Sequence, residues 1–175
     1  MEKDFTGENF RPMRRGKQAL SAKECEAVLK RGTSGVLALL GDGGYPYAVP
    51  LSYVYDAGRI FFHCAKAGHK IDAIRNQEKA SFCVIDQDRV VPEKYTTFFR
   101  SVIVFGRVRI LEEEGEIHDA IEKLAVRYAP EESRESREAE IDRFRASLCM
   151  LELTVEHMTG KECIELVKEK ERSVS

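Results

Sequence analysis

Apolar and polar residues alternate along several segments of the chain, and this two-residue period predicts β-strands. Residues 96–111 show the alternation most clearly. One side of this segment carries Val102, Val104, Gly106, Val108 and Ile110. A glycine in mid-strand indicates a bulge or a bend. Five more strands are predicted at residues 35–40, 45–55, 60–62, 80–85 and 149–156.

A period of three to four residues predicts helices between and around these strands. A capping box from Ser21 to Glu24 opens the first helix, and Gly32 ends it. Three more helices are predicted at 117–128, 131–146 and 160–170, the second of them solvated and rich in ion pairs. Residues 86–93 are predicted to form a polar loop. Six strands with peripheral helices predict an α+β fold, mainly β, that closes as a small antiparallel barrel.

Residues 59–75 combine a predicted strand, a turn of small residues and the start of a helix. His63, Lys66, His69 and Lys70 lie within eight residues at this joint. A helix N-terminus offers unpaired amide donors and a partial positive charge, so it favours an anion. The sequence therefore predicts a phosphate site here, although a single basic residue in a first turn is also common on ordinary surfaces.

The segment 45–55 carries Pro46 and Pro50, which remove amide donors from the same side of the predicted strand. Proline is confined to edge strands, strand starts and bulges. Two interpretations remain open. A gap beside Leu51 and Ser52 could hold a flat ligand, or the prolines could simply protect an edge strand from aggregation.

Composition and charge exclude several classes of protein. The 175 residues predict one domain, 1–175, with a basic N-terminal arm at 1–18, and the net charge of −2 attracts neither nucleic acid nor an anionic membrane. No apolar run approaches 18 residues and no signal-peptide pattern is present, so a cytoplasmic protein is expected. The five cysteines contain no CxxC pair, which favours reduced thiols and no structural metal.

Three blocks of sequence, at residues 44–53, 62–70 and 96–106, closely resemble the 5-nitroimidazole-resistance (Nim) group of proteins. That group belongs to the pyridoxamine 5'-phosphate oxidase-like FMN-binding split barrels. The resemblance covers residues 11–167. It implies a six-stranded antiparallel split β-barrel and a homodimer that binds FMN at the subunit interface.

The resemblance also implies a role for particular residues. His63 would be the catalytic residue, close to the flavin ring and to the substrate. Lys66, His69 and Lys70 would hold the cofactor phosphate, in agreement with the electrostatic prediction above. The remaining residues expected to bind the cofactor are Pro50, Leu51, Ser52, Tyr53, Cys64, Ala65 and Ser101.

The function implied is an FMN-dependent oxidoreductase, either nitroreductase-like or a general flavin reductase. NADH or NADPH would supply electrons for a small acceptor, and His63 could supply a proton. One alternative is a non-enzymatic protein that binds flavin or haem, with His63, His69, His118 or His157 as an axial ligand. A deazaflavin-dependent reductase is a further alternative on the same fold.

Overall fold

The computed structural model describes residues 10–174. Its strands are β1 (Ala19–Leu20), β2 (Ser34–Leu40), β3 (Pro46–Ser52), β4 (Val54–Asp56), β5 (Arg59–Ala65), β6 (Lys79–Val91), β7 (Thr96–Ile110) and β8 (Leu148–Glu162). Its α-helices are α1 (Ala22–Arg31), α2 (His69–Asn76), α3 (Glu114–Tyr128), α4 (Arg134–Phe144) and α5 (Ile164–Val174). These two sets define the labels used below.

The strands form one antiparallel sheet in the order β3-β2-β6-β7-β8-β5-β4, and the short β1 pairs with β8. The two end strands, β3 and β4, are separated in the chain by Tyr53 alone. The sheet therefore curls, because the continuous segment 46–56 pairs with β2 through β3 and with β5 through β4. The barrel remains split because the ladder is interrupted at Tyr53.

The core lies inside this curled sheet. Alternate residues of the strands point inward, and α1 adds Cys25, Val28 and Leu29 to the same apolar cluster. The predicted capping box at the start of α1 is confirmed, with the Ser21 hydroxyl accepting from the Glu24 amide at 3.3 Å. On the outer face, α3 covers β5 and β8 through a second, smaller apolar cluster.

The predicted alternation in β7 is confirmed, and Gly106 marks a bulge. Val102, Val104 and Val108 are buried, and the pairing of β7 with β8 shifts register between Phe105 and Gly106. A Cβ atom at Gly106 would lie 2.0 Å from the Thr154 carbonyl oxygen. Only glycine fits at this position, because the two backbones approach too closely for any side chain.

Several predictions about the fold are wrong in detail. The described residues form eight strands rather than six, and helices are almost as abundant as strands, so the fold is α+β without being mainly β. Most of the segment predicted as the loop 86–93 extends β6 as far as Val91 and pairs with β7. The last strand continues to Glu162, and the final helix begins at Ile164 rather than at Gly160.

The N-terminal arm lies partly outside the described residues, since residues 1–9 are not among them. Within the described part, the Phe10 ring stacks on His157 with 4.4 Å between ring centroids, and Gln18 is buried. The two ends of this described part therefore contact the barrel, whereas most residues between them are exposed. Across residues 10–174, no helix combines the length and the apolar character that a membrane span requires.

Candidate functional site

The joint after β5 has the predicted order of strand, turn and helix. Strand β5 ends at Ala65 and α2 begins at His69. Between them Gly68 has φ 120°, a conformation that favours glycine, and its carbonyl accepts from the amides of Ile71 and Asp72 at 2.9 and 3.2 Å. The turn therefore presents the first amides of α2 toward the end of β5.

The four cationic or imidazole groups of this joint point in different directions. The His69 ring stacks on Tyr47, with centroids 4.1 Å apart, and its Nε2 lies 3.7 Å from the Asp42 carboxylate. His69 is thus engaged by the β2–β3 hairpin. Lys70 is half-buried, and its charge acts on the thiol of Cys64.

Lys66 is exposed and borders a small groove of about 380 Å³. Arg75, from the last turn of α2, and Arg145, just after α4, line the same groove. Glu112 and Glu114 lie at it too, so the charge there is mixed. Sequence reasoning missed both arginines. Arg145 gave no signal, because it is 79 positions from Lys66 in the chain (145 − 66).

A larger groove of about 940 Å³ lies between the end of β5 and the helices α3 and α4. Four of the predicted cofactor-binding residues line it: Ser52, His63, Cys64 and Ala65. Its opposite wall is largely apolar and includes Ile121, Leu124, Tyr128, Ile141 and Phe144. The volume is in the range of sites that hold a cofactor or a drug-sized ligand. Leu148 borders this groove and the smaller one, so the two are adjacent.

His63 projects from the outer face of β5 and is exposed to the larger groove. Its neighbours in the chain, Phe62 and Cys64, point the other way, into or against the core. The alternation of β5 thus places an imidazole on the wall of the groove rather than inside the barrel. An imidazole in such a position can exchange protons with a bound ligand.

Strand β3 is an edge of the sheet, as its prolines predicted. Pro50 and Ser52 are exposed on its outer side, whereas Leu51 packs against the core. Tyr53 is fully buried, and its hydroxyl donates to the Leu29 carbonyl at 2.8 Å. Burial raises the pKa of this hydroxyl well above its ordinary value.

The backbone of Tyr53 is held by Tyr128 of α3. The Tyr53 amide donates to the Tyr128 hydroxyl at 2.9 Å, and that hydroxyl lies 2.8 Å from the Tyr53 carbonyl oxygen. The interruption between β3 and β4 is therefore filled by a protein side chain. Tyr128 also lines the larger groove, so α3 ties this wall of the groove to the split in the barrel.

Ser101 lies apart from the other predicted residues. It is half-buried on β7, opposite Ile85 and Lys161, and β2 and β6 separate it from β3. It does not line either of the two grooves. Within one chain the structure does not bring Ser101 to His63 and Ser52.

The chain is thus a split antiparallel barrel with two adjacent grooves at the end of β5. Residues 21–162 match the sequence profile of the family described as pyridoxamine 5'-phosphate oxidase. The chain belongs to that family, and the resemblance of its sequence to this superfamily is confirmed. No curated protein matches the chain.

Solved structures with the same fold have low sequence identity. A conserved hypothetical protein from Mycobacterium tuberculosis is 19% identical with a TM-score of 0.75, and the match covers 86% of this chain and 90% of that one. A flavocytochrome from Azotobacter vinelandii is 15% identical with a TM-score of 0.71, and the match covers 90% of this chain and 74% of that one. A candidate 5-nitroimidazole antibiotic resistance protein from Bacteroides thetaiotaomicron is 18% identical with a TM-score of 0.69, and the match covers 82% of this chain and 86% of that one. At these identities the similarity establishes the fold.

Proposed function

We propose that the protein is a homodimeric FMN-dependent oxidoreductase. It would take electrons from NADH or NADPH and pass them to a small acceptor. The observation that carries this proposal is the groove of about 940 Å³ with His63 on its wall, at the end of β5 next to the basic turn. Family membership supports it, and so does the shared fold of a protein named as a flavocytochrome.

The residues around the two grooves fit a phosphorylated planar ligand. The apolar wall formed by α3 and α4 suits a flat ring. Lys66, which lines the smaller groove, and Lys70, in the first turn of α2, suit a phosphate. Arg75 and Arg145 extend the basic region around Lys66. His69 is the weakest member of the predicted set, because Tyr47 and Asp42 already engage it.

Bound FMN would supply hydride and electron transfer, which no protein side chain provides. The chain would supply position and protons. His63 would deliver a proton to the acceptor from the groove wall. The apolar side chains of α3 and α4 would exclude water from the ring, and exposed Ser52 would meet its polar edge.

A homodimer is proposed because the outer face of β2, β6 and β7 exposes several large apolar side chains. Val36, Ile85, Ile103 and Phe105 are large apolar residues exposed on β2, β6 and β7. The register continues this patch to Pro50, which lies opposite Val36. Exposed apolar patches of this kind commonly mark interaction surfaces. Ser101 lies on the same side of β7, so a second copy packed here could bring its own Ser101 to the groove.

The absorption spectrum of the purified protein tests the central proposal. Flavin bands that bleach on addition of NADH or NADPH are expected. Flavin bands without bleaching would favour a flavin store or carrier, and absence of bound flavin after reconstitution with FMN would contradict the proposal.

A haem-binding protein is the second candidate, and the exposed imidazole of His63 in the groove favours it. A Soret band would identify this candidate, and its loss in a His63→Ala variant would assign the axial ligand. The same substitution in a flavoprotein would leave the flavin bound.

The Lys70→Glu variant should weaken FMN binding by at least about tenfold, because it places like charge beside the phosphate. Lys23→Glu, an exposed lysine on α1, is the matched control and should bind as the unmodified protein does. Fluorescence titration with FMN measures both. Equal affinity in the two variants would rule out an anchoring role for Lys70.

A further inference from the structure

Cys64 on β5 and Cys149 on β8 are directly opposite each other in the antiparallel ladder. Gly58 and Val155 are opposite each other in the same ladder, one step beyond the pair of Arg59 and Thr154. The Val155 amide donates to the Gly58 carbonyl at 2.9 Å, so Gly58 and Val155 form a hydrogen-bonded pair. Hydrogen-bonded and non-hydrogen-bonded pairs alternate, and Cys64 lies six residues after Gly58 while Cys149 lies six residues before Val155. They are therefore also a hydrogen-bonded pair, with Cα atoms about 5.5 Å apart. That Cα separation lies within the range that disulfides span, roughly 4.4 to 6.8 Å, and closing the bond draws the two Cβ atoms together from about 5.5 Å to about 4 Å.

The two side chains lie on the same face of the sheet, and the Cys149 thiol is close enough to raise the pKa of the Cys64 thiol. Both contact the apolar cluster inside the barrel, where Cys149 is buried and Cys64 is half-buried. Cys64 also borders the larger groove at the end of β5 and is only half-buried. The pair thus consists of a partly exposed cysteine next to a buried one.

The other three cysteines have no such arrangement. Cys83 on β6 lies opposite Val36 and Ile103. Cys163 packs in a separate apolar cluster, and Cys25 lies on α1 against β8. All five cysteines are among the described residues, and the cross-strand register sets Cys64 and Cys149 apart from the rest.

We propose that Cys64 and Cys149 form a reversible dithiol–disulfide site, oxidised by a low-molecular-weight disulfide that enters through the larger groove. The Cys64 thiolate attacks one sulfur of the reagent, breaks its S–S bond and releases one small thiol. Cys149 then attacks the Cys64 sulfur of this mixed disulfide and releases the second small thiol. Two protein thiols are oxidised, one reagent disulfide is reduced to two thiols, and the two protons remain with those thiols or pass to water.

The electrostatics set the rate of this exchange. Burial, together with the neighbouring Cys149, raises the pKa of the Cys64 thiol to about 12, and the charge of Lys70 acts in the opposite direction. The thiolate is therefore scarce at neutral pH, and the rate should rise up to about tenfold for each pH unit between pH 7 and 9. Lys70→Gln should slow the exchange, because it removes the charge that favours the thiolate.

The test uses the full chain in buffers that range from reduced to oxidised glutathione. After acid quenching and unfolding, the number of titratable thiols should fall from five to three. Peptide mapping without reductant should then join the peptides that contain Cys64 and Cys149, and dithiothreitol should restore all five thiols. Retention of five thiols in fully oxidised buffer would overturn the proposal. A disulfide between other cysteines, or a stable glutathione adduct on Cys64, would do the same.

Variants localise the effect. Cys64→Ser and Cys149→Ser should each form no internal disulfide, whereas Cys83→Ser should still lose two thiols. If either serine variant fails to fold, phenylarsine oxide gives an independent test on the reduced unmodified protein. One arsenic bridging two thiols, mapped to Cys64 and Cys149, is expected, and absence of this adduct would contradict the proximity of the thiols.

Discussion

Helices α1 and α4 have nearly the same length, ten and eleven residues, but they are attached to the protein in different ways. Helix α1 buries Cys25, Val28 and Leu29 in the main core. Helix α4 buries only Ile141 and packs mainly against α3. One helix is part of the barrel core, and the other is a wall of the larger groove.

The attachments of α4 are mostly ionic. Arg137 bonds to the Glu122 carboxylate at 3.0 Å, and His118 Nε2 lies 2.9 Å from Glu138. Both pairs are partly exposed, and ion pairs in contact with solvent contribute little to stability, whereas a buried apolar side chain contributes a few kcal/mol. We therefore expect α1 to unfold only with the whole barrel and α4 to open locally. A ligand site can thus combine a fixed strand end with an adjustable wall.

Leu29→Ala should have the largest effect on stability. The side chain is fully buried in the main cluster, so its truncation should lower the free energy of unfolding by about 3 kcal/mol. Urea denaturation measures the change, and Lys30→Ala on the exposed side of α1 is the control. A loss below about 1 kcal/mol would mean that α1 is no more firmly attached than α4.

Ile141→Ala should affect α4 without affecting the barrel. Global unfolding should change by less than about 1 kcal/mol, because α4 can leave the groove before the barrel unfolds. Amide exchange in α4 should rise at least about tenfold, while exchange in β7 and β8 should stay as it was. The exposed Arg143→Ala variant is the control. A uniform rise in exchange across the barrel would show that α4 belongs to the same cooperative unit as α1.

Much of the barrel could be predicted from the sequence, because buried strands carry their own signal. The sequence correctly predicts the bulge at Gly106, the alternation of β7 and the capping box of α1. The polar extension of β6 was missed because backbone pairing holds it: Gln87 lies opposite Arg100, and Val91 lies opposite Thr96. A strand that extends beyond the core no longer needs apolar side chains on one face.

The site was harder to predict than the barrel. His69 and Lys70 are adjacent in the chain, yet successive residues of a helix point about 100° apart, so the two side chains diverge. Conversely, Lys66 meets Arg145 only through the placement of α4. A cluster of charges in sequence indicated the correct joint of the fold, but the grouping of side chains depended on tertiary structure.

Glu138→Gln should have the smallest effect, and it removes the pair with His118 of α3 together with the pair that Glu138 makes with Arg134 inside α4. His118 lowers the pKa of Glu138 below its ordinary value of 4.5. Such a carboxylate contributes its stabilisation above that ordinary value and loses it as the pH falls through the lowered pKa. Amide exchange in α4 should therefore be faster in the variant than in the unmodified protein at pH 7. The two should converge well below pH 4.5.

Glu140→Gln is the matched control for this variant, because Glu140 pairs with Arg143 inside α4 and does not link α4 to α3. It should leave α4 exchange nearly unchanged. High salt should reproduce the effect of Glu138→Gln in the unmodified protein, since it screens the same partly exposed pair. If Glu138→Gln has no effect at neutral pH, Ile141 and the Arg137–Glu122 pair hold α4 in place. The Arg137–Glu122 pair would then be the ion pair that attaches α4 to α3.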